Sequence, residues 1–226
     1  MHTPRAITID GPAGSGKSTL GAALASALGY VYFDTGVMYR ALTLAVIDAH
    51  IDPTDSAAVT SCAESCAIGV HPPTVADGRQ YTITLGDRDV TWAIRDQQVE
   101  KLVSTVAGHP PVRVIMRAQQ RAIGLRGDVV MVGRDIGSIV LPEAPLKIYL
   151  DVSIAERARR RVAELAARGE SIDVAALTAA IAQRDARDAH VMQPAPDAVH
   201  IDGAAQTPEQ TLAYVLSLVP AALRSS

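Results

Sequence analysis

Gly11-Pro12-Ala13-Gly14-Ser15-Gly16-Lys17-Ser18 spells G-x-x-x-x-G-K-[ST] without a mismatch, and it constrains the possible folds of this chain more than any other segment. Such a loop works only between a buried strand and a helix. The flanking residues offer both. Ala6-Ile7-Thr8-Ile9-Asp10 is a short apolar run, and Leu20, Leu24, Ala27 and Leu28 recur at helical spacing until Gly29 ends the pattern. Gly11, Gly14 and Gly16 let the backbone curl until several N–H groups converge on one anion, and the following helix dipole adds to that field. Lys17 would reach the β- and γ-phosphates of a nucleotide and the Ser18 hydroxyl would ligate Mg²⁺, with Pro12, Ala13, Ser15 and Thr19 completing the cofactor-binding run. The implied cofactors are ATP and Mg²⁺.

Apolar runs and helical periods alternate along most of the chain. Short strands are expected at Ala6–Asp10, Tyr30–Phe33, Asp128–Val132, Leu146–Leu150 and Ala198–Ile201, with helices between them, including an arginine-rich one over Ile154–Arg168 and another over Asp173–Ala189. Five buried strands separated by helices predict a doubly wound α/β fold with a parallel sheet. Between Pro53 and Pro110 the texture changes. A helix near Asp55–Cys66 leads to the alternating run Tyr81–Leu85 and a Gly86-Asp87 turn, which predicts a small antiparallel sheet inserted in the α/β core.

Composition narrows the function. The 226 residues suffice to bury a core without a disulfide or metal, and Cys62 and Cys66 read as small apolar residues on one helix face. A net charge of −3 argues against a nucleic-acid partner. No run approaches the roughly 18 apolar residues of a membrane span, and the N-terminus lacks a signal-peptide pattern, so a cytoplasmic location is expected. Arginine outnumbers lysine 18 to 3, reflecting either base composition or a site that clamps phosphates with planar guanidinium forks. The chain has no guanine-reading N/TKxD element, and it lacks the size and further signatures of a motor ATPase. Arginines just after strands and along the late helices suit a small-molecule kinase, which must suppress repulsion between two phosphate-bearing substrates. His71, His109, His190 and His200 form no triad or metal spacing and read as loop or surface residues.

Phe33-Asp34-Thr35-Gly36-Val37-Met38-Tyr39-Arg40 and Gly133-Arg134-Asp135-Ile136-Gly137 resemble the bacterial cytidylate kinase family, as does the P-loop with its preceding Ile9-Asp10. Ile94-Arg95, Val103-Ser104, Pro111-Val112-Arg113, Leu141 to Ile148 and Pro196-Asp197-Ala198 extend the resemblance in order along nearly the whole chain. It implies an adenylate-kinase-like fold: a five-stranded P-loop core over residues 1–52 and 110–226, a monophosphate-binding insert over 53–109, and a helical lid near 154–190. It also implies transfer of the ATP γ-phosphoryl group to CMP or dCMP by a monomer. Thr35, Arg40 and Arg134 match the acceptor-phosphate site, and Tyr39 would line it. Ser104, Arg113 and Asp135 match positions that read the cytosine edge. Arg184 and Asp188 match positions near the sugar and phosphates. Arg157, Arg160 and Arg161 fall where lid arginines approach ATP; Arg157 and Arg161, with Lys17 and Arg134, are the catalytic candidates.

Two positions depart from the family pattern. Val132 stands where many members place an acidic residue just before Gly-Arg-Asp, which leaves Asp10 or Asp34 to supply a carboxylate near the metal. The stretch from Ala189 to Asp197 is short and lacks a further substrate arginine. Alternatives are a P-loop kinase for another small acceptor such as UMP, or a weakly active or regulatory nucleotide-binding protein.

Overall fold

A computed structural model describes residues 4–167, 169, 172–189 and 191–224. In chain order its elements are β1 (Ala6–Asp10), α1 (Lys17–Leu28), β2 (Val31–Asp34), α2 (Gly36–Asp48), α3 (Ser56–Ser65), β3 (Ile68–His71), β4 (Thr82–Leu85), β5 (Arg88–Asp89), α4 (Gln97–Val106) and α5 (Pro110–Gly124). Then follow β6 (Val129–Val132), β7 (Leu146–Asp151), α6 (Ile154–Ala166), α7 (Val174–Asp188), β8 (Val199–Asp202) and α8 (Pro208–Leu218).

Five strands form one parallel sheet in the order β2-β6-β1-β7-β8, and β3-β4-β5 form a separate antiparallel sheet. β1 and β6 are buried at every residue, as their continuous apolar runs require when helices cover both sheet faces. β1 lies between β6 and β7, so the chain reverses its direction of growth across the sheet at this strand. Loops leaving the carboxyl ends of β1, β6 and β7 diverge there and open a crevice, the usual ligand position in such sheets. The P-loop, the Gly133–Asp135 segment and the start of α6 all lie at this edge.

The expected elements are present with small shifts. β2 begins one residue later than Tyr30, whose phenol instead donates to the Leu223 carbonyl at 2.6 Å. Arg168, at the end of the expected arginine-rich helix, and His190 lie outside the described residues. A π-helical turn over Ile136–Val140 is absent from the sequence reading. It forms because Asp10, at the end of β1, accepts from Ile136 N at 2.9 Å and Gly137 N at 2.7 Å, capping the turn from outside it. Cys62 and Cys66 are free, half-buried thiols against the core. His71 and His200 are exposed, and His109 bonds the Pro53 carbonyl at 2.8 Å.

α1 rests on β6 and β2 through Gly21. A methyl group there would come within 2.5 Å of Val132 Cγ2 and 3.1 Å of the Tyr32 ring. Alanine would gain about 1 kcal/mol in helix propensity, but overpacking this contact costs about 1–3 kcal/mol. Gly21→Ala is therefore expected to be net destabilising and to lower Tm by roughly 2–6 °C in a thermal melt; an unchanged or raised Tm would contradict this packing.

Candidate functional site

The P-loop backbone is shaped by contacts that leave no alternative to glycine at its first position. Gly11 has φ +144°, and a Cβ there would meet the Leu150 carbonyl oxygen at 2.2 Å. α1 begins after Gly16, at φ 96°, with no side-chain cap and no acidic residue in its first turn. By contrast α3, α4, α6, α7 and α8 are each capped by an Asp, Ser or Thr side chain. The Ser15 hydroxyl is buried beside these amides and bonds nothing among the described residues. An anion seated in the loop would satisfy both the open helix terminus and this hydroxyl. The residues therefore fit a nucleotide phosphate.

Lys17 is buried, and its ammonium donates to the Pro12 carbonyl at 2.5 Å. Burial pushes its pKa down to about 8, and Arg134 is the charge that adds most to the drop. Ser18 donates to Asp34 Oδ2 at 3.2 Å, while Asp34 Oδ1 accepts from Gly36 N. A hydroxyl beside a carboxylate is suitable oxygen chemistry for Mg²⁺. Of the two candidates for the carboxylate missing at Val132, Asp34 therefore stands next to Ser18. Asp10 does not have the same freedom, because both its oxygens hold the π turn; burial raises its pKa to about 6 despite those two bonds. Val132 itself is fully buried, and its carbonyl accepts from both the amide and the hydroxyl of Thr35.

Arg134 faces this loop from the end of β6. Burial and the positive charges of Arg184 and Arg113 lower its pKa to about 10, and it ion-pairs with Asp188 of α7. Crowding three guanidiniums in this way is unfavourable without anions, and an anion bound here would relieve it. Asp135, the next residue, is also buried. Arg117 donates to its Oδ2 from Nε at 3.0 Å and Nη2 at 2.5 Å, and Arg113 Nη2 lies 3.6 Å from the same oxygen. Tyr39 is pushed to higher pKa by burial, close to the charges of Arg113, Asp135 and Arg117.

The remaining acceptor-side candidates lie on α2 and α4, which pack together. Arg40 ion-pairs with Glu100 of α4, and exposed Ser104 is one turn further along that helix, on the face that carries Glu100. Thr35 directs its hydroxyl at the Val132 carbonyl at 3.0 Å, so this proton is committed to the backbone.

On the other side of the P-loop, a cleft of about 1100 Å³ is lined by Gly14 to Thr19, the arginines of α6, Arg184 and Asp185 of α7, and the 203–208 loop. Arg157 is buried and bonds the Val152 and Ala13 carbonyls at 2.9 and 3.0 Å as well as Asp185. It thus ties the P-loop to α6 and α7. Arg160 reaches Glu156 and the Gly203 carbonyl, and Arg161 pairs with Glu164 at a half-exposed position. Arg117, Asp185 and Glu100 are absent from the sequence reading. Arg117 and Glu100 follow Arg113 and precede Ser104 by four residues, so a helical wheel could have found them; Asp185 had no such signal.

The cytidylate kinase family model matches residues 7–221. A cytidylate kinase of Chloroflexus aggregans is 57% identical over 217 residues, covering 96% of this chain and 94% of that one. Another, of Roseiflexus castenholzii, is 55% identical over 220 residues, covering 97% and 95%. Among solved structures, shikimate kinase from Bacteroides thetaiotaomicron aligns with a TM-score of 0.51 at 14% identity, covering 94% of this chain and 97% of that one, a likeness of fold.

The Lys17 pKa of about 8 fixes a sign for nucleotide binding. Phosphates bind the charged amine, so affinity should fall as pH rises through 8, by up to about tenfold per unit. Calorimetric titration of ATP between about pH 7 and 9.5 should show this decline, and Lys17→Met should bind more weakly with no such slope. A flat profile in the unmodified protein would contradict the geometry.

Proposed function

The chain belongs to the cytidylate kinase family and phosphorylates CMP and dCMP, and on that premise we propose which of its residues carry out the transfer. The observation that supports the proposal best is the P-loop, with buried Lys17, the unpartnered Ser15 hydroxyl and the uncapped start of α1 all open to an anion, and with the charge of Arg134 acting on Lys17. After burial, Arg134 is the largest influence holding down the Lys17 pKa. One cation belongs to the P-loop and the other to the acceptor side. A phosphoryl group passing between two bound nucleotides would lie where these charges repel each other, and its negative oxygens would relieve that repulsion.

ATP is the proposed donor, its phosphates seated on the amides of Gly14 to Thr19 with Lys17 at the β- and γ-oxygens. Ser18 and Asp34 are the residues that would hold Mg²⁺, which when bound would supply positive charge to offset that of the phosphates. A CMP phosphate oxygen attacks the γ-phosphorus in line while the bond to the β–γ bridging oxygen breaks, giving CDP and ADP. The nucleophile is already anionic at neutral pH, so no general base is required. Arg134, with Arg40 and Arg184, is assigned to the acceptor phosphate, and Thr35 joins them on turning its hydroxyl away from the Val132 carbonyl. Each guanidinium of this set exchanges a protein carboxylate or a like charge for the phosphate: Arg134 leaves Asp188, and Arg40 leaves Glu100. Freed in this way, Asp188 can accept from the ribose 2′-hydroxyl.

Base choice is assigned to Asp135 and Arg113, with Tyr39 close to their charges, and Ser104 is assigned to the same task from its exposed position on α4. No described residue bonds Asp135 Oδ1, and Arg113 Nε is a buried donor without an acceptor. One acceptor beside one donor complements the exocyclic amine and ring nitrogen of cytosine, whereas uracil presents a carbonyl and an N–H there and mismatches both. We place the acceptor-binding insert at residues 53–109, where the separate three-stranded sheet lies, and the lid at about 154–190, where α6 packs on α7. Arg157 is assigned a positioning role through Ala13 and Asp185, and Arg161 the role of closing on ATP with the lid. Closure would exclude water and so suppress hydrolysis.

The test is ADP release from Mg-ATP with CMP, dCMP, UMP, AMP, GMP or no acceptor. Activity confined to CMP and dCMP is expected. Lys17→Ala should lower kcat by about 10²–10³-fold, and Asp135→Ala should reduce the CMP-over-UMP preference by at least about tenfold. Equal rates with UMP in the unmodified protein, or unchanged kinetics in both variants, would refute the assignment.

A further inference from the structure

The acceptor site contains one more guanidinium than the reading above uses. Arg117 lies one helical turn after Arg113 on α5, on the same face, and both reach Asp135. We propose that Arg117 is a positioning residue for base recognition. It locks Asp135 Oδ2, leaving Oδ1 to accept from the acceptor pyrimidine and leaving Arg113 free to donate to it. The inference rests on the assignment of Asp135 and Arg113 as the cytosine readers.

The hydrogen bonds distinguish this arrangement from an ordinary ion pair. A guanidinium that grips a carboxylate fork to fork uses both oxygens. Here Nε and Nη2 of Arg117 converge on Oδ2 alone, at 3.0 and 2.5 Å. The other oxygen has no donor among the described residues. The Arg113 side chain, by contrast, makes no hydrogen bond among the described residues; its Nη2 is 3.6 Å from Oδ2 and its Nε is buried and unpaired.

The two arginines therefore divide two tasks. Asp135 is buried and needs a cationic partner. If Arg117 did not supply it, Arg113 would need to move less than an ångström to form a full hydrogen bond with the same carboxylate. That move of Nη2 would carry the whole guanidinium with it, shifting the Nε that the cytosine ring requires, and would let the carboxylate rotate. Lysine at 117 would preserve the charge but, as a compact point charge, could not hold the oxygen from two directions.

The experiment measures kcat and KM with CMP and with UMP for the unmodified protein, Arg117→Leu, Arg117→Lys, Asp135→Ala and the Asp135→Ala/Arg117→Leu double variant, with thermal melts alongside. Arg117→Leu should raise KM for CMP about tenfold, change kcat less than about threefold, and lower the CMP-to-UMP ratio of kcat/KM about tenfold. Arg117→Lys should lower that ratio about threefold, and it carries the test if the leucine variant does not fold. In the Asp135→Ala background the leucine substitution should leave the ratio unchanged, because the two residues act as one unit. A tether that merely holds α5 in place would lower Tm without moving the ratio. If the ratio stays within about twofold of the unmodified value in the Arg117 variants while Asp135→Ala loses it, the proposal is overturned and the cytosine reading stands. If Asp135→Ala keeps the ratio, the cytosine reading is overturned as well.

Discussion

Two positive charges, the buried Lys17 and the half-buried Arg134, stand beyond the ends of β1 and β6, and the site is organised around the unfavourable effect of Arg134 on Lys17. Lys17 is held down to about 8 and Arg134 to about 10, each first by loss of water and then by neighbouring cations. A protein alone gains little from such an arrangement. Phosphate oxygens gain a great deal from it, because the surroundings are dry and the donors are already aimed. The P-loop turns inward for the same reason, leaving the Ser15 hydroxyl without a partner among the described residues and the start of α1 without a side-chain cap.

Asp10 keeps this geometry in register. It is the last residue of the central strand, and its two oxygens hold the first amides of the turn that follows Arg134 and Asp135. The P-loop begins at the next residue. One carboxylate thus joins the donor loop and the acceptor turn to the same point on the sheet. Gly137 belongs to this joint too: a Cβ there would come within 2.7 Å of Thr8 Oγ1, so only glycine lets the turn lie against β1. On the far side, Arg157 links the P-loop carbonyl of Ala13 to Asp185 of α7, and Asp188, three residues along that helix, pairs with Arg134. One helix therefore touches both halves of the site through carboxylates that anionic substrates can displace.

The sheet and its helices were legible in the sequence because their apolar periods are long and uninterrupted, as in Leu20 to Leu28 and Val129 to Val132. The P-loop was legible because its chemistry depends on spacing within one segment. The π turn was not, since it is set by Asp10, some 126 positions away, and not by any local pattern. Arg117 is hidden for a related reason. Its spacing of four from Arg113 puts it on the same helix face, but its meaning appears only when α5 brings it onto Asp135. The role of Asp34 lies between these cases: sequence leaves it level with Asp10, and the fold separates them by using both oxygens of Asp10 in the turn. Val132 reads as a missing carboxylate in sequence, whereas in the fold its side chain meets Gly21 and Asp34 stands next to Ser18 instead.

The chain has three lysines, Lys17, Lys101 and Lys147, so an NMR titration of the lysine side-chain ¹³Cε signals can follow Lys17 individually. The central claim requires Lys17 to titrate near 8 in the free protein, to move upward in Arg134→Ala, and to rise by at least about two units when ATP and CMP are bound together. A Lys17 that titrates at its ordinary value in the free protein, and does not respond to loss of Arg134, would contradict the claim that two opposed cations form the centre of the site.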